Sequence, residues 1–220
     1  MKKYSILIMM AATLFLSACA QDDEPTFSCN SNINQWVLNN LEEISTMTRS
    51  DWKELPNDVA IAVYRAFSPE QKIRFWQEKF EEVKQLEWSN EERMHIQMAE
   101  KFLYSHTQLF YKKRLSEDEE DELDIFYYTW SRKAMHDFNW DERLAADIIV
   151  SRNDIRKVQT RSFEPPSNPF EPPISLPDCS CKYDIYCLPF DCEPGFCEET
   201  DDGCGVLSLA RCKGLCAGAF

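Results

Sequence analysis

The chain has 220 residues, and its 24 basic and 38 acidic side chains give a net charge of −14. That length allows one medium domain and a small module, and so negative a surface repels nucleic-acid phosphates and anionic lipid headgroups, which argues against both as partners. Ten cysteines and five glycines are unevenly placed: eight cysteines lie between Cys179 and Cys216, and every glycine falls at Gly195 or later.

Lys2 and Lys3 open the chain, residues 4–16 are mainly apolar, and Leu16-Ser17-Ala18-Cys19 follows. The apolar stretch is too short to span a bilayer comfortably, so the segment reads as a secretory signal. Leu-Ser-Ala-Cys resembles the lipobox of bacterial lipoproteins. The resemblance implies cleavage before Cys19, acylation of Cys19 and a membrane partner held through that lipid anchor. The mature chain then has 22 basic and 38 acidic residues, a net of −16. Gln21-Asp22-Asp23-Glu24 resembles the surface-export signal of Bacteroidetes lipoproteins, which implies the outer face of the outer membrane. A plain solvated spacer is the alternative.

Residues 30–161 read as helical. Ser68-Pro69-Glu70-Gln71 places a cap, a first-turn proline and a residue able to reach back to the cap. Ser89-Asn90-Glu91-Glu92, Ser116-Glu117-Asp118-Glu119 and Asn139-Trp140-Asp141-Glu142 repeat the pattern. Apolar residues three and four apart then mark six helices. Ile33, Trp36, Val37, Leu41, Ile44 and Met47 mark the first; Val59, Val63 and Phe67 the second; Ile73, Trp76, Phe80 and Val83 the third. Met94, Met98, Phe102 and Leu109 mark a long fourth, Leu123, Phe126, Tyr127, Trp130 and Ala134 a fifth, and Leu144 and Ile148 a sixth. The expected fold is an all-α bundle of about six helices, joined by a Pro-rich linker to a small disulfide-rich C-terminal module. A body without glycine must turn on Asn, Ser, Asp and Pro.

Chemistry-bearing motifs are scarce. Trp36, Phe75, Trp76, Phe80, Phe102, Trp130 and Trp140 read as core aromatics before ligand-pocket walls. Glu91 and His95 lie one helical turn apart and offer two metal ligands, but no second pair accompanies them, so a hydrogen-bonded histidine is the plainer reading. The acidic run 117–122 with Asp124 follows a cap serine, where negative charge complements the helix dipole, and reads as a solvated helix start. A glycine-free body builds no usual phosphate-cradling loop. No catalytic residue, cofactor or metal is expected.

Six prolines between residues 162 and 178 exclude a helix and predict an extended spacer holding the tail away from the body. The tail, residues 179–220, is too short to close a core unaided. Cys179, Cys181, Cys187, Cys192, Cys197, Cys204, Cys212 and Cys216 supply up to four disulfides of undetermined pairing, each typically contributing about 2–4 kcal/mol. Zinc is the rival reading, without a histidine or a Cys-x2-Cys pair in the tail to support it. Val206, Leu207 and Leu209 form the expected apolar cluster of the module. Cys29 is left over: it is a candidate unpaired thiol, or it pairs with a tail cysteine and leaves another unpaired.

Two stretches of the body, with the tail, carry a family resemblance. Ser68-Pro69-Glu70-Gln71-Lys72, Phe75-Trp76, Lys79, Trp88-Ser89, Glu91-Glu92 and His95-Ile96 resemble the helical region of the fulvocin C-related bacteriocin family, as do Asn34-Gln35-Trp36-Val37 and Asn40-Leu41-Glu42-Glu43-Ile44. Gly203-Cys204-Gly205 and Cys212-Lys213-Gly214-Leu215-Cys216 resemble that family's eight-cysteine peptide. The resemblance covers most of the mature chain and implies antagonism toward competing bacteria. The tail, with three basic and seven acidic residues, lacks the positive charge of membrane-lytic peptides, so a protein or glycan receptor is the expected target. The expectation is a surface-anchored, non-enzymatic lipoprotein whose tail is open to release by proteolysis, with Arg156, Lys157 and Arg161 as trypsin-like cut points. The alternative is a tethered binding or adhesion module that is never cleaved. A redox enzyme has no Cys-x-x-Cys motif to stand on.

Overall fold

The computed structural model describes residues 25–155, 179, 192–194, 197 and 199–216. Cys19, Cys181, Cys187, the N-terminal residues 1–24 expected to carry a secretory signal, and the proline-rich segment lie outside them. The protein is mostly helical: α1 (Ser31–Asn39), α2 (Leu41–Thr46), α3 (Arg49–Lys53), α4 (Asn57–Ala66), α5 (Pro69–Lys84), α6 (Asn90–Ser105), α7 (Glu117–Phe138) and α8 (Glu142–Ile149). Among the described residues, strand is confined to the tail. There β1 (Cys192–Pro194) pairs antiparallel with β4 (Gly214–Cys216), and β2 (Thr200–Cys204) with β3 (Ala210–Cys212). No helix among the described residues is long and apolar enough to cross a membrane.

The helices start where side chains satisfy orphan backbone N–H groups. Ser68, Ser89 and Ser116 each accept from the backbone three residues on, while Gln71, Glu92 and Glu119 reach back to the cap. Such caps contribute about 1 kcal/mol each. The first expected helix is two, because the backbone of Asn40 leaves helical geometry at φ −117° and its Nδ2 donates to the Trp36 carbonyl at 2.6 Å. The five residues of α3 escape a periodicity reading, since Trp52 is their one buried apolar side chain. Near residue 139 the cap shifts by two. Asn139 is the left-handed residue ending α7 (φ 55°, ψ 29°), and Asp141 caps α8 by accepting from Leu144 at 2.7 Å. Asn takes the place glycine usually fills.

The core gathers around Trp76, Tyr64, Phe75 and Phe80, all at 2% exposure or less. Phe75 meets Trp52 and Tyr64 edge-on, at 5.0 and 5.2 Å. On α6 the buried face carries His95, Ile96, Ala99 and Leu103, whereas Met94 and Met98 are exposed. The stripe drawn through the methionines is therefore displaced around the helix. Val206, Leu207 and Leu209 do not form a separate cluster: they belong to the core of the helical body.

Candidate functional site

The tail's chemistry begins with its bridges. Cys179 is bonded to Cys197, and Cys204 to Cys212. The backbones of Cys192 and Cys216 lie opposite one another in the β1–β4 ladder. The Cys204–Cys212 bridge spans eight residues, a closure that contributes about 2–3 kcal/mol by restricting the unfolded chain. Cys29 is itself disulfide-bonded. It is not the spare thiol that the cysteine count suggests.

At the entrance to the Cys204–Cys212 loop and within it the backbone turns sharply. Gly203 (φ 103°) and Gly205 (φ 68°) occupy conformations that favour glycine, and Leu207 and Ser208 both have φ 54°. Holding two L-residues there costs about 1–2 kcal/mol each, so the surroundings must fix them. They do: Val206 and Leu207 have no exposed surface and Ser208 has 2%. The Tyr64 hydroxyl donates to the Leu207 carbonyl at 3.3 Å and accepts from Trp76 Nε1 at 3.0 Å. Burying a Val or Leu side chain contributes about 1.5–3 kcal/mol, enough to offset the turn.

Polar contacts frame this wedge. Arg211 Nε donates to Glu120 Oε1 at 3.1 Å, with the Glu120 side chain only 8% exposed. Glu120 belongs to the acidic run expected to be solvated, so one member of that run is a docking contact for the tail. Arg65 donates to the Phe27 carbonyl at 3.2 Å through Nη1, and to the Cys179 carbonyl and Thr200 Oγ1, both at 3.4 Å, through Nη2. The tail is thus not held away from the body in its described part.

A second polar cluster joins α3 and α5 to the segment after α8. Arg49, 1% exposed, donates to Glu82 Oε2 at 3.1 Å, to Asp154 Oδ1 at 3.0 Å and to the Arg152 carbonyl. Lys79 donates to the Ser151 carbonyl, and burial, reinforced by the nearby Arg49 charge, holds its ammonium well below the ordinary lysine pKa. Lys53 bridges Glu82 and Asp154 at 3.1 and 3.2 Å. These groups line a cleft of about 300 Å³ with Val83, Leu86 and Ile155. Its charged groups are engaged with one another and with backbone carbonyls that follow α8. The arrangement fastens the segment after α8, whose Arg152 guanidinium lies over the Tyr64 ring at 5.0 Å.

His95 joins no metal pair. Its ring, 2% exposed, stacks on Trp130 at 4.8 Å, while Glu91 is exposed. Nε2 lies 3.0 Å from the Trp130 carbonyl, and Trp130 Nε1 donates back to the His95 carbonyl at 3.0 Å. Among the described residues no group of three or more His, Cys, Asp or Glu side chains is placed to hold a metal ion.

Sequence reasoning missed Tyr64, Arg65 and Glu120 as the tail's seat. A tyrosine and an arginine in the last turn of an amphipathic helix read as ordinary core and surface, and a partner some 140 residues away leaves no local signal. Comparison with models of known protein families, with curated proteins and with solved structures finds no match for this chain.

Proposed function

We propose that this protein is a surface-anchored, non-enzymatic lipoprotein in which a helical-bundle scaffold and the cysteine tail act together as a tethered binding module. The observation that carries this reading is the burial of Val206 and Leu207 in the core of the body, with the Tyr64 hydroxyl on the Leu207 carbonyl. Cleaving the connecting segment would not by itself free a tail held this way. Release would expose the wedge and empty its seat, at about 1.5–3 kcal/mol for each large apolar side chain. The anchor is Cys19, by the lipobox resemblance, and the target is a protein or glycan receptor.

The bacteriocin-like reading is the second. It rests on the resemblance to the fulvocin C-related family and on the bridges Cys179–Cys197 and Cys204–Cys212, which would keep a released tail cross-linked. An antibody against residues 179–220, applied to cells and medium of the native host, separates the two. Full-length, cell-bound protein supports the tethered module. A tail-sized fragment in the medium, toxic to related bacteria only while oxidised, supports release.

A further inference from the structure

The wedge that enters the body is carried on a loop closed by one disulfide. Cys204 is bonded to Cys212, and the β2–β3 ladder sets Cys204 opposite Ala210 and Thr200 opposite Cys212. Between the two cysteines, Leu207 and Ser208 keep a left-handed backbone, φ 54° at each. L-residues leave that conformation when nothing holds them. Burial against the body holds the turn from one side, and the bridge holds its two ends. The bridge itself is packed away: Cys204 is 5% exposed and Cys212 1%.

The body places two guanidinium groups beside this bridge. From the point where a Cβ on Gly203 would lie, Arg65 Nε and Arg152 Nη1 are each 3.6 Å away and Cys212 Sγ is 3.8 Å away. Both arginines are fixed by other contacts. Arg65, on α4, donates to the Phe27 carbonyl, and Arg152, after α8, lies over the Tyr64 ring. Positive charge beside a sulfur stabilises it as a thiolate. A disulfide opens faster when the sulfur that leaves is stabilised in this way.

We propose that Cys204–Cys212 is a thiol-exchange site through which a small thiol of the glutathione class unlatches the tail from the body. The incoming thiolate attacks Sγ of Cys204, the less buried residue of the pair. The Sγ–Sγ bond breaks, and Cys212 departs as a thiolate beside Arg65 and Arg152. A second small thiol attacks the mixed disulfide, which leaves Cys204 reduced and joins the two small thiols in a disulfide of their own. Two electrons thus pass from the thiols to the bridge. With its ends untied, the left-handed turn relaxes, and Val206 and Leu207 lose the shape that fits their seat beside Tyr64. The site belongs to the docked tail and stands whether or not Cys19 is acylated.

The test exposes the full-length, natively folded, oxidised protein to reduced glutathione and blocks it with iodoacetamide at timed intervals before peptide mass mapping. Glutathione on Cys204 with Cys212 alkylated is expected. Glutathione on Cys212 instead, or no opening of this bridge in the folded protein, overturns the site. Arg152→Gln is expected to slow opening several-fold, and Arg152→Lys to keep the wild-type rate. A purely structural Arg152 predicts the reverse, since losing a packed side chain would loosen the loop and hasten attack. An unchanged or faster rate in Arg152→Gln therefore contradicts the proposal. Unlatching is read by hydrogen exchange in a Cys204→Ala/Cys212→Ala variant. Exchange several-fold faster than wild type over residues 206–211, with α5 and α6 unchanged, is expected. Wild-type protection there, or loss of protection in α5 and α6 as well, overturns a local latch.

Discussion

The Tyr64 hydroxyl on α4 donates to the carbonyl of Leu207, 143 residues away in sequence, while accepting from Trp76 Nε1. One oxygen thus joins the tail to the centre of the helical core. Tyr64→Phe removes the link and leaves the buried Trp76 N–H without this acceptor. A loss of about 1–3 kcal/mol in urea-denaturation stability is expected. An unchanged midpoint would show that the contact is incidental.

Gly203 fixes how the wedge enters. Its φ of 103° is one that side-chain-bearing residues rarely adopt, although a Cβ there would meet Arg65 and Arg152 only at an ordinary 3.6 Å. Gly203→Ala is therefore expected to destabilise by about 1–3 kcal/mol through backbone strain rather than collision. Denaturation should show the same loss in an Arg152→Ala background. A penalty that vanishes there would point to crowding instead.

His95 makes stability fall in mild acid. Burial holds its pKa below the ordinary 6.5; the Trp130 carbonyl opposes the shift, the Lys133 charge adds to it and Asp137 opposes it. Nδ1 is buried with no hydrogen-bond partner, so a second ring proton would be unsatisfied. The unfolded chain takes up that proton near pH 6.5 and the folded chain only at lower pH. The histidine's contribution is therefore complete above pH 6.5 and is lost as pH falls through the folded value. An NMR titration of the ring should give a midpoint below 6.5. A midpoint at or above 6.5 contradicts the burial argument.

Cysteine arithmetic tests the anchor. Acylating Cys19 on sulfur leaves nine of the ten cysteines, an odd number, and Cys29 is already in a disulfide. The mature chain should then show one alkylatable thiol when denatured without reductant, or else run as a disulfide-linked dimer. A monomer with no reactive thiol would contradict thioether formation at Cys19.

Where the sequence is legible, the signal is local. Ser68, Ser89 and Ser116 each sit three residues before a Gln or Glu, and each caps a helix in the expected way. Local competition between side chain and backbone is harder to read. Asn40 splits the first helix, and Asn139 ends α7 where it was expected to begin α8. The seat of the tail is the least legible part. Val206, Leu207 and Leu209 are recognisable as apolar, but nothing near them tells whether they bury against their own module or against Tyr64. The prolines of residues 162–178 argue for separation, and Cys179, Thr200 and the stretch from Val206 to Arg211 are docked on the body all the same.

All six tryptophans lie in the helical body, between Trp36 and Trp140, and none lies in the tail. Selectively excited tryptophan fluorescence during urea unfolding therefore reports the body alone, and Leu207→Ala in the full-length oxidised protein tests whether tail and body fold as one unit. The account predicts that this tail substitution lowers the stability read from the body's tryptophans by about 2–5 kcal/mol, in a single transition. A body transition at the wild-type midpoint would mean that the tail folds independently, and would contradict the account.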